Sequence, residues 1–520
     1  MFVIRETMII LNAKKSNNKF LEVLKNMKRF LAMLLCLVTV FTLAGCSLSK
    51  TEYYSDYTDG DTTQNSSKGN SAKDNKDNSS GGSTGGDIKT DIKGAVGGQT
   101  DANAAAWGIK TDKKGIEKKV NLKGKTVKMA VFNTARYTSS SFQRAVKSFE
   151  KKYGCTVKID KFTFGEEYMT AVRNSVASGK PYDISFIHGS EFYNAIASNV
   201  YQPLNNNLTT ADLLNESTLK GIDLNKSVEC SWNGKIYGVT NYSGVNPLTI
   251  FYNKKKFSQA GLEDPRELYN AGKWTWDKFI QLGLQVTDTS KSTYFGQANF
   301  YNTAVVSSFG GATIDWSSGT PVANLNNESL IQGYKLVQSL VRGANQVIKL
   351  RGGEDQLEDF CNGNSFVYLE ESDRYITIMN KMSTLTAFAK KKANLGIVPL
   401  PLGGGNTHYP TGWIEVCASP KGSDANIAVA WMKFYSSYKD PVKDKTTFSS
   451  EDQTLINNLL KDILPSRCGF SDASVGASQL EGRIIDEIVR GGDISQCISK
   501  YQPQFQSCIN STLEQLKKIG

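Results

Sequence analysis

From Thr126 onward the hydrophobic period of the chain switches back and forth between two and 3.6 residues, and this restricts the fold more than any other feature. Residues 127–132 (VKMAVF) read as a strand. Residues 139–153 read as a helix with Phe142, Val146 and Phe149 at i, i+4 and i+7, a serine cap among Ser139–Ser141, and Gly154 as the stop. Residues 155–159 are the next strand, 166–178 the next helix with Gly179 as its stop, and 183–187 (DISFI) a third strand. Strand, helix, strand, helix, strand at this spacing predicts a parallel sheet with both faces covered. The pattern resumes with strands at 248–252, 365–369, 395–399 and 413–419, and helices at 275–286, 328–342, 356–362 and 425–438. Residues from about 450 to 520 read as mostly helical. At 520 residues, this is an α/β chain with more than one folded unit.

The sequence ahead of residue 126 is of a different kind. Lys28 and Arg29 precede a 14-residue apolar run, Phe30–Leu43, followed by Ala44-Gly45-Cys46. A basic segment, a short apolar core and small residues form a secretory signal peptide. The run is shorter than the roughly 20 residues of a membrane-spanning helix. Leu43-Ala44-Gly45-Cys46 resembles the lipobox of bacterial lipoproteins, which implies cleavage before Cys46 and diacylation of its sulfur; two chains hold a protein at a membrane where one is marginal. Residues 1–45 are therefore a signal peptide with an N-terminal extension, whose true start is Met1 or Met27. Residues 46–106 are rich in Ser, Asp, Asn, Gly and Lys and too poor in apolar residues to offset ordering entropy. They read as a disordered tether with an r.m.s. reach of roughly 40–45 Å.

Charge and cysteine content narrow the function classes. The net charge is +11, but residues 1–29 hold seven basic and two acidic groups, leaving about +6 on the remainder. No basic block interleaved with aromatics points to nucleic acid. Two histidines argue against a multi-histidine metal centre, no CxxC pair occurs, and no cofactor or metal is expected. Cys155, Cys230, Cys361, Cys417, Cys468, Cys497 and Cys508 remain after the leader and the lipid site. Their odd number leaves at least one thiol unpaired; pairing among Cys468, Cys497 and Cys508 and buried free thiols are both open.

Between about 126 and 520 the chain resembles an extracellular solute-binding protein of the carbohydrate-uptake type, a relative of the maltose-binding protein. The residues that carry the likeness are Gly179-Lys-Pro-Tyr-Asp183-Ile, Gln202-Pro203-Leu204, Gly234-Lys-Ile-Tyr237-Gly238, Ile250-Phe-Tyr-Asn253, Trp274-Thr-Trp276-Asp277, Phe360-Cys-Asn-Gly363, Gly396-Ile-Val-Pro399 and Ala430-Trp431-Met-Lys-Phe434. The resemblance implies a two-lobed periplasmic-binding-protein-like fold of type II, each lobe a sheet flanked by helices, joined by a hinge. Residues 125–240 with 403–438 would form one lobe, and 248–399 with 441–520 the other. The implied function is non-catalytic: a monomeric, lipid-anchored receptor that binds a sugar or oligosaccharide between the lobes and delivers it to the transmembrane subunits of an ATP-binding-cassette permease. A peptide, polyamine or phosphorylated solute on the same fold, and a surface glycoside-active enzyme, are the alternatives.

A sugar offers hydroxyls at its edge and C–H groups on its faces, so its site needs planar polar groups and aromatic rings. Strand ends and crossovers supply the candidates Asn133, Arg136, Glu166, His188, Tyr242, Asn246, Tyr301, Trp316, Glu371, Asp373, Arg374 and Trp413. Thr134, Phe164, Glu167, Glu191, Phe300 and Glu370 lie beside them. Glu370 and Glu371 cannot flank one bond as paired catalytic carboxylates, because neighbours on a strand point to opposite faces. Where the maltose-binding pattern has Gly-Pro-Trp, this sequence has Glu371-Ser372-Asp373-Arg374; Arg374 beside carboxylates suits an acidic sugar. Trp274, Trp276 and Trp431 sit on helices among apolar neighbours and are expected in the core, whereas Trp316 and Trp413 sit in polar, Gly-rich surroundings and are expected to face ligand.

Overall fold

The structure, a computed structural model, describes residues 120–208, 231–239, 245–298, 304–350, 354–372, 374–384, 394–442, 448–459, 463–464, 469–472 and 475–519. The leader, Cys46, the tether, Cys230 and Cys468 lie outside them.

The first strands form as the periodicity predicts. β1 (Thr126–Phe132) and β2 (Thr156–Phe162) pair in parallel over seven residues, from Thr126↔Thr156 to Phe132↔Phe162. α1 (Ser140–Tyr153) connects them; the Ser139 side chain accepts from the Phe142 N–H, and Gly154 ends the helix at φ 65°. That left-handed backbone is easy only for a residue without Cβ. α2 (Glu166–Ala177) follows β2, and Gly179, at φ 69°, closes its last turn. β3 (Ser185–His188) joins β1 on its other side through the parallel bridge Met129↔Ile184. α1 buries Phe142 and Phe149 against Trp431, with ring centroids 5.8 and 5.2 Å apart. Such edge-to-face contacts between buried rings add to the area term.

Beyond this unit the sheet is mixed, not purely parallel. Its remaining strands are β4 (Gly238–Val239), β5 (Val245–Asn253), β6 (Gly296–Ala298), β7 (Ile348–Leu350), β8 (Val367–Glu371), β9 (Leu395–Pro399), β10 (Tyr409–Ala418) and β11 (Ile463–Leu464). The hydrogen-bonded path runs β7-β6-β8-β5-β10-β11, with β9 on β5 and with β3 and β4 on β10. β5 runs antiparallel to both β8 and β9. β10 meets β11 and β5 with its first residues (Tyr409↔Ile463, Thr411↔Pro247) and β3 with its last (Glu415↔His188 to Ala418↔Ser185). Its pairing with β5 slips in register between Thr411 and Ile414, where Trp413 lies. An irregularity of this kind bends a strand. β5 and β10 thus tie two sheet regions together, in a two-lobed arrangement.

Helices cover the sheets: α3 (Phe192–Ala197), α4 (Trp276–Leu284), α5 (Glu328–Val341), α6 (Glu354–Cys361), α7 (Arg374–Thr384), α8 (Ala425–Ser437), α9 (Ala477–Val489) and α10 (Ile494–Leu516). The Thr275 side chain caps α4 by accepting from the Lys278 N–H. Trp274, Trp276 and Trp431 are all buried, as expected. The Trp274 and Trp276 indole N–H groups donate to the Pro399 carbonyl and the Ser308 hydroxyl, 2.9 and 3.1 Å away. Cys155, Cys361, Cys417, Cys497 and Cys508 are free thiols, so Cys497 and Cys508 do not pair with each other.

One close approach is set by glycine. Gly396 lies opposite Tyr252, and a Cβ there would stand 2.2 Å from the phenol ring, whose hydroxyl is held by the Asp264 carboxylate at 2.7 Å. The ring is fully buried and tied at its hydroxyl, so an added methyl must displace packed atoms. Gly396→Ala is expected to cost about 1–3 kcal/mol through overpacking. Thermal unfolding measures this; an unchanged midpoint would refute the ring's fixed position.

Candidate solute site at the strand ends

Three parallel strands bring three carboxyl ends to one edge of a sheet, the place where open α/β sheets bind ligands. β1 ends at Phe132, β2 at Phe162 and β3 at His188. After β1, one helical turn (Ala135–Thr138) carries Arg136 and Tyr137 inward. After β2, Phe164 precedes Gly165, whose φ of 95° turns the chain into α2. Because β10 is antiparallel to β3, Glu415 lies directly across from His188.

These residues form one polar and aromatic cluster. Arg136, 7% exposed, places Nη1 3.4 Å from Glu415 Oε1, and the Tyr137 hydroxyl donates to the same oxygen. His188 Nδ1 lies 2.7 Å from Ser190 Oγ. The half-buried Phe164 ring meets His188 edge-on at 4.9 Å and Phe132 at 5.2 Å. Burial first, and the Arg136 charge second, push the His188 imidazole down to about 3, so it is neutral at physiological pH. Glu191, in the turn after β3, is pushed up to about 7 by burial and then by Glu166, with Arg173 opposing. The cluster therefore offers a carboxylate, a guanidinium, a neutral imidazole and a ring.

A second group flanks the start of β5. Glu371, 4% exposed, ends β8 opposite Leu248, and the Ser372 N–H donates to the Pro247 carbonyl at 3.0 Å. Arg374 opens α7. Pro247 is also the residue opposite Thr411. From Thr411 to Glu415 is four residues of strand, roughly 13 Å. The ends of β8 and β3 are thus linked through β5 and β10.

The other candidates fall as follows. Asn133 is exposed, with its N–H bonded to the Phe162 carbonyl at 2.7 Å. Glu166 is exposed at the start of α2, accepting from Thr170 at 2.8 Å and from Arg173. Asn246 lies in β5 and Trp413 in β10, where the backbone is described. Tyr242, Tyr301 and Asp373 lie outside the described residues. Trp316 is 4% exposed and packs against Tyr193 and Phe470, with centroids 5.3 and 5.7 Å away. Its polar neighbours in sequence suggested a ligand-facing ring; two aromatics remote in sequence cover it instead. Glu415 and Tyr137 were missed. A lone Glu in the apolar run WIEVCAS was the available signal for the first.

Two predictions test these environments. The imidazole of His188 takes up a proton near pH 6.5 when unfolded and only near pH 3 when folded. Stability it contributes is complete above 6.5 and is lost as pH falls toward 3. Between pH 7.5 and 5 the protein should lose about 2 kcal/mol more than His188→Gln loses. Urea unfolding at both pH values decides it, and parallel losses would contradict the buried neutral ring. Trp316→Ala should cost about 3–5 kcal/mol as a core cavity; a variant of native stability would return Trp316 to the surface.

Comparison with known proteins accords with this geometry. The family model of bacterial extracellular solute-binding proteins matches residues 144–445. No curated protein matches the sequence. The GacH receptor of Streptomyces glaucescens, solved unliganded and with acarbose, superposes at TM-score 0.56 with 15% identity, over 75% of this chain and 99% of that one. The galacto-N-biose/lacto-N-biose I-binding protein of a Bifidobacterium longum ABC transporter, solved with lacto-N-biose, gives 0.57 and 13% over 76% and 98%. The substrate-binding protein Lmo0181 of Listeria monocytogenes, solved with cycloalternan, gives 0.54 and 14% over 75% and 100%. At these identities the structures establish the shared fold. With a family match over more than half its length, the chain belongs to the bacterial extracellular solute-binding proteins, whose work lies outside the cytoplasm.

Proposed function

We propose that this chain is the substrate-binding component of an ATP-binding-cassette importer, taking a sugar or oligosaccharide between its lobes and handing it unchanged to the permease's membrane subunits. The observation that carries this reading is the cluster at the ends of β1 to β3: Phe164 offers a half-buried face beside Arg136, Glu415 and His188, which suit the hydroxyl edge of a sugar. Solved relatives of the fold hold acarbose, cycloalternan and lacto-N-biose, which supports the same ligand class. A phosphorylated solute is less well served, because the Arg136 charge is already matched by Glu415.

In this reading the lobes are 125–240 with 403–438 and 248–399 with 441–520, and β5 and β10 form the hinge. Asn133, Glu166, Tyr242, Asn246, Tyr301, Glu371, Asp373, Arg374 and Trp413 remain proposed contacts, joined by Phe164 and Glu415. Ligand bound to both lobes favours the closed form, and the closed form is what the permease engages. The protein works as a monomer, held at the membrane by diacylated Cys46 and the tether, without nucleic acid.

Calorimetry against a panel of mono- and oligosaccharides tests the proposal. A binding sugar should raise the unfolding temperature and be recovered unaltered; release of reducing ends would reverse the reading. Arg136→Ala and Trp413→Ala should each weaken binding by roughly tenfold or more, the loss of one charge-assisted bond or one stacked ring. Unchanged affinity removes that residue from the site. Cys46→Ser should move the protein from the membrane fraction to the medium.

A further inference from the structure

The other end of the same strands carries a different chemistry. The loops at the amino ends of β1, β2 and β3 hold Lys123 and Lys125, then Lys151 and Lys152 at the end of α1, then Lys180 after α2, all exposed. Lys128 and Lys421 stand half-buried beside them. Backbone contacts fasten these loops together: Gly124 N–H to the Gly154 carbonyl at 2.8 Å, Thr156 N–H to the Lys125 carbonyl at 2.9 Å, and Asp183 N–H to the Lys128 carbonyl at 2.9 Å. Gly422 sits where its Cβ would be 3.7 Å from Pro181, bringing the Lys421 loop to the same pole.

Among the described residues three carboxylates share this pole, and each already has structural partners. Glu150 accepts from Lys147 and from the Val157 N–H, Asp183 from the Lys128 N–H, and Asp424 from the Asn426 N–H as the cap of α8. Among the described residues Lys123, Lys125, Lys151 and Lys180 make no ion pair. Helix-terminus electrostatics accounts for Lys151 and Lys152. It does not account for Lys123, Lys125 and Lys180, which lie on loops.

The chain also enters the folded body at this pole, through Val120 and the buried Leu122. Lys123 and Lys125 thus lie beside the point where the chain enters the described body.

We propose that this lysine pole docks on anionic phospholipid headgroups of the membrane to which the chain is tethered. Each lysine near such a surface contributes a small attraction, and several together give salt-sensitive binding. On the sequence expectation that residues 46–106 are a tether with a reach of roughly 40–45 Å, the pole stays near the headgroups and even weak binding is populated. β1 is seven residues long, about 23 Å, so the pole and the solute cluster face opposite ways along the strands. A docked body therefore turns the solute cluster toward the medium, in a pose suited to capture; transfer to the permease requires it to undock.

The proposal rests on the receptor reading for its purpose, but its test does not use the sugar or the acyl chain. A chain starting at residue 46 with Cys46→Ser keeps the whole described body and is sedimented with vesicles of phosphatidylglycerol in phosphatidylcholine, or of phosphatidylcholine alone. Binding to the anionic vesicles should be roughly tenfold stronger at low salt and vanish at high salt, where the screening length shrinks. Reversing Lys123, Lys125, Lys151 and Lys180 to Glu should lower it at least roughly tenfold. Reversing the exposed Lys255, Lys273, Lys335 and Lys439 changes the net charge equally and should leave binding within about twofold. Equal loss in both variants, or equal binding to neutral and anionic vesicles, overturns the proposal and leaves the receptor reading standing.

Discussion

The structure depends on one strand with two sets of partners. Backbone groups buried away from water must be hydrogen-bonded, so a strand cannot leave one sheet without entering another. β10 satisfies this by pairing with β5 and β11 at its start and with β3 and β4 at its end. Its pairing with β5 shifts register between Thr411 and Ile414. One side of the candidate site follows from this strand. It places Glu415 across from His188, and it brings the start of β5, and with it Glu371 and Ser372, into connection with the ends of the parallel strands.

In the proposed reading, the electrostatics of the cluster suit a neutral, hydroxyl-rich ligand. A buried guanidinium is tolerable only when matched, and Glu415 matches Arg136. The same positive charge, added to burial, keeps His188 from protonating. A neutral imidazole keeps one acceptor nitrogen, which an imidazolium lacks, and Nδ1 uses it to accept from the Ser190 N–H at 3.3 Å. Matched charges and a neutral ring leave little net field to attract an ion.

Local signals made much of the fold legible, and the limits of those signals are equally specific. Periodicity fixed the order from β1 to β3, and Ser139, Gly154, Thr275 and Gly179 marked their helix ends because caps act within one turn. The core tryptophans were readable from their helical neighbours. The pairing of Glu415 with Arg136 and Tyr137 was not, since nearly 280 residues separate them and no local pattern encodes an antiparallel strand inserted beside β3. Trp316 shows the same limit in reverse. Gly, Ser and Asp around it describe a loop, but burial is decided by Tyr193 and Phe470, which reach it from other parts of the chain.

Strand polarity also separates the charges. In a parallel unit every helix begins at the carboxyl edge of the sheet and ends at the amino edge. Helix dipoles favour anions at the first edge and cations at the second. α2 accordingly opens with Glu166 and Glu167, and α1 closes with Lys151 and Lys152. Lys123, Lys125 and Lys180 extend the basic end beyond what the dipoles ask for, onto the loops nearest the point where the chain enters the body. One topological rule thus gives this molecule two ends of opposite character. The carboxyl edge gathers a matched polar cluster, while the amino edge, where the chain enters the described body, presents positive charge.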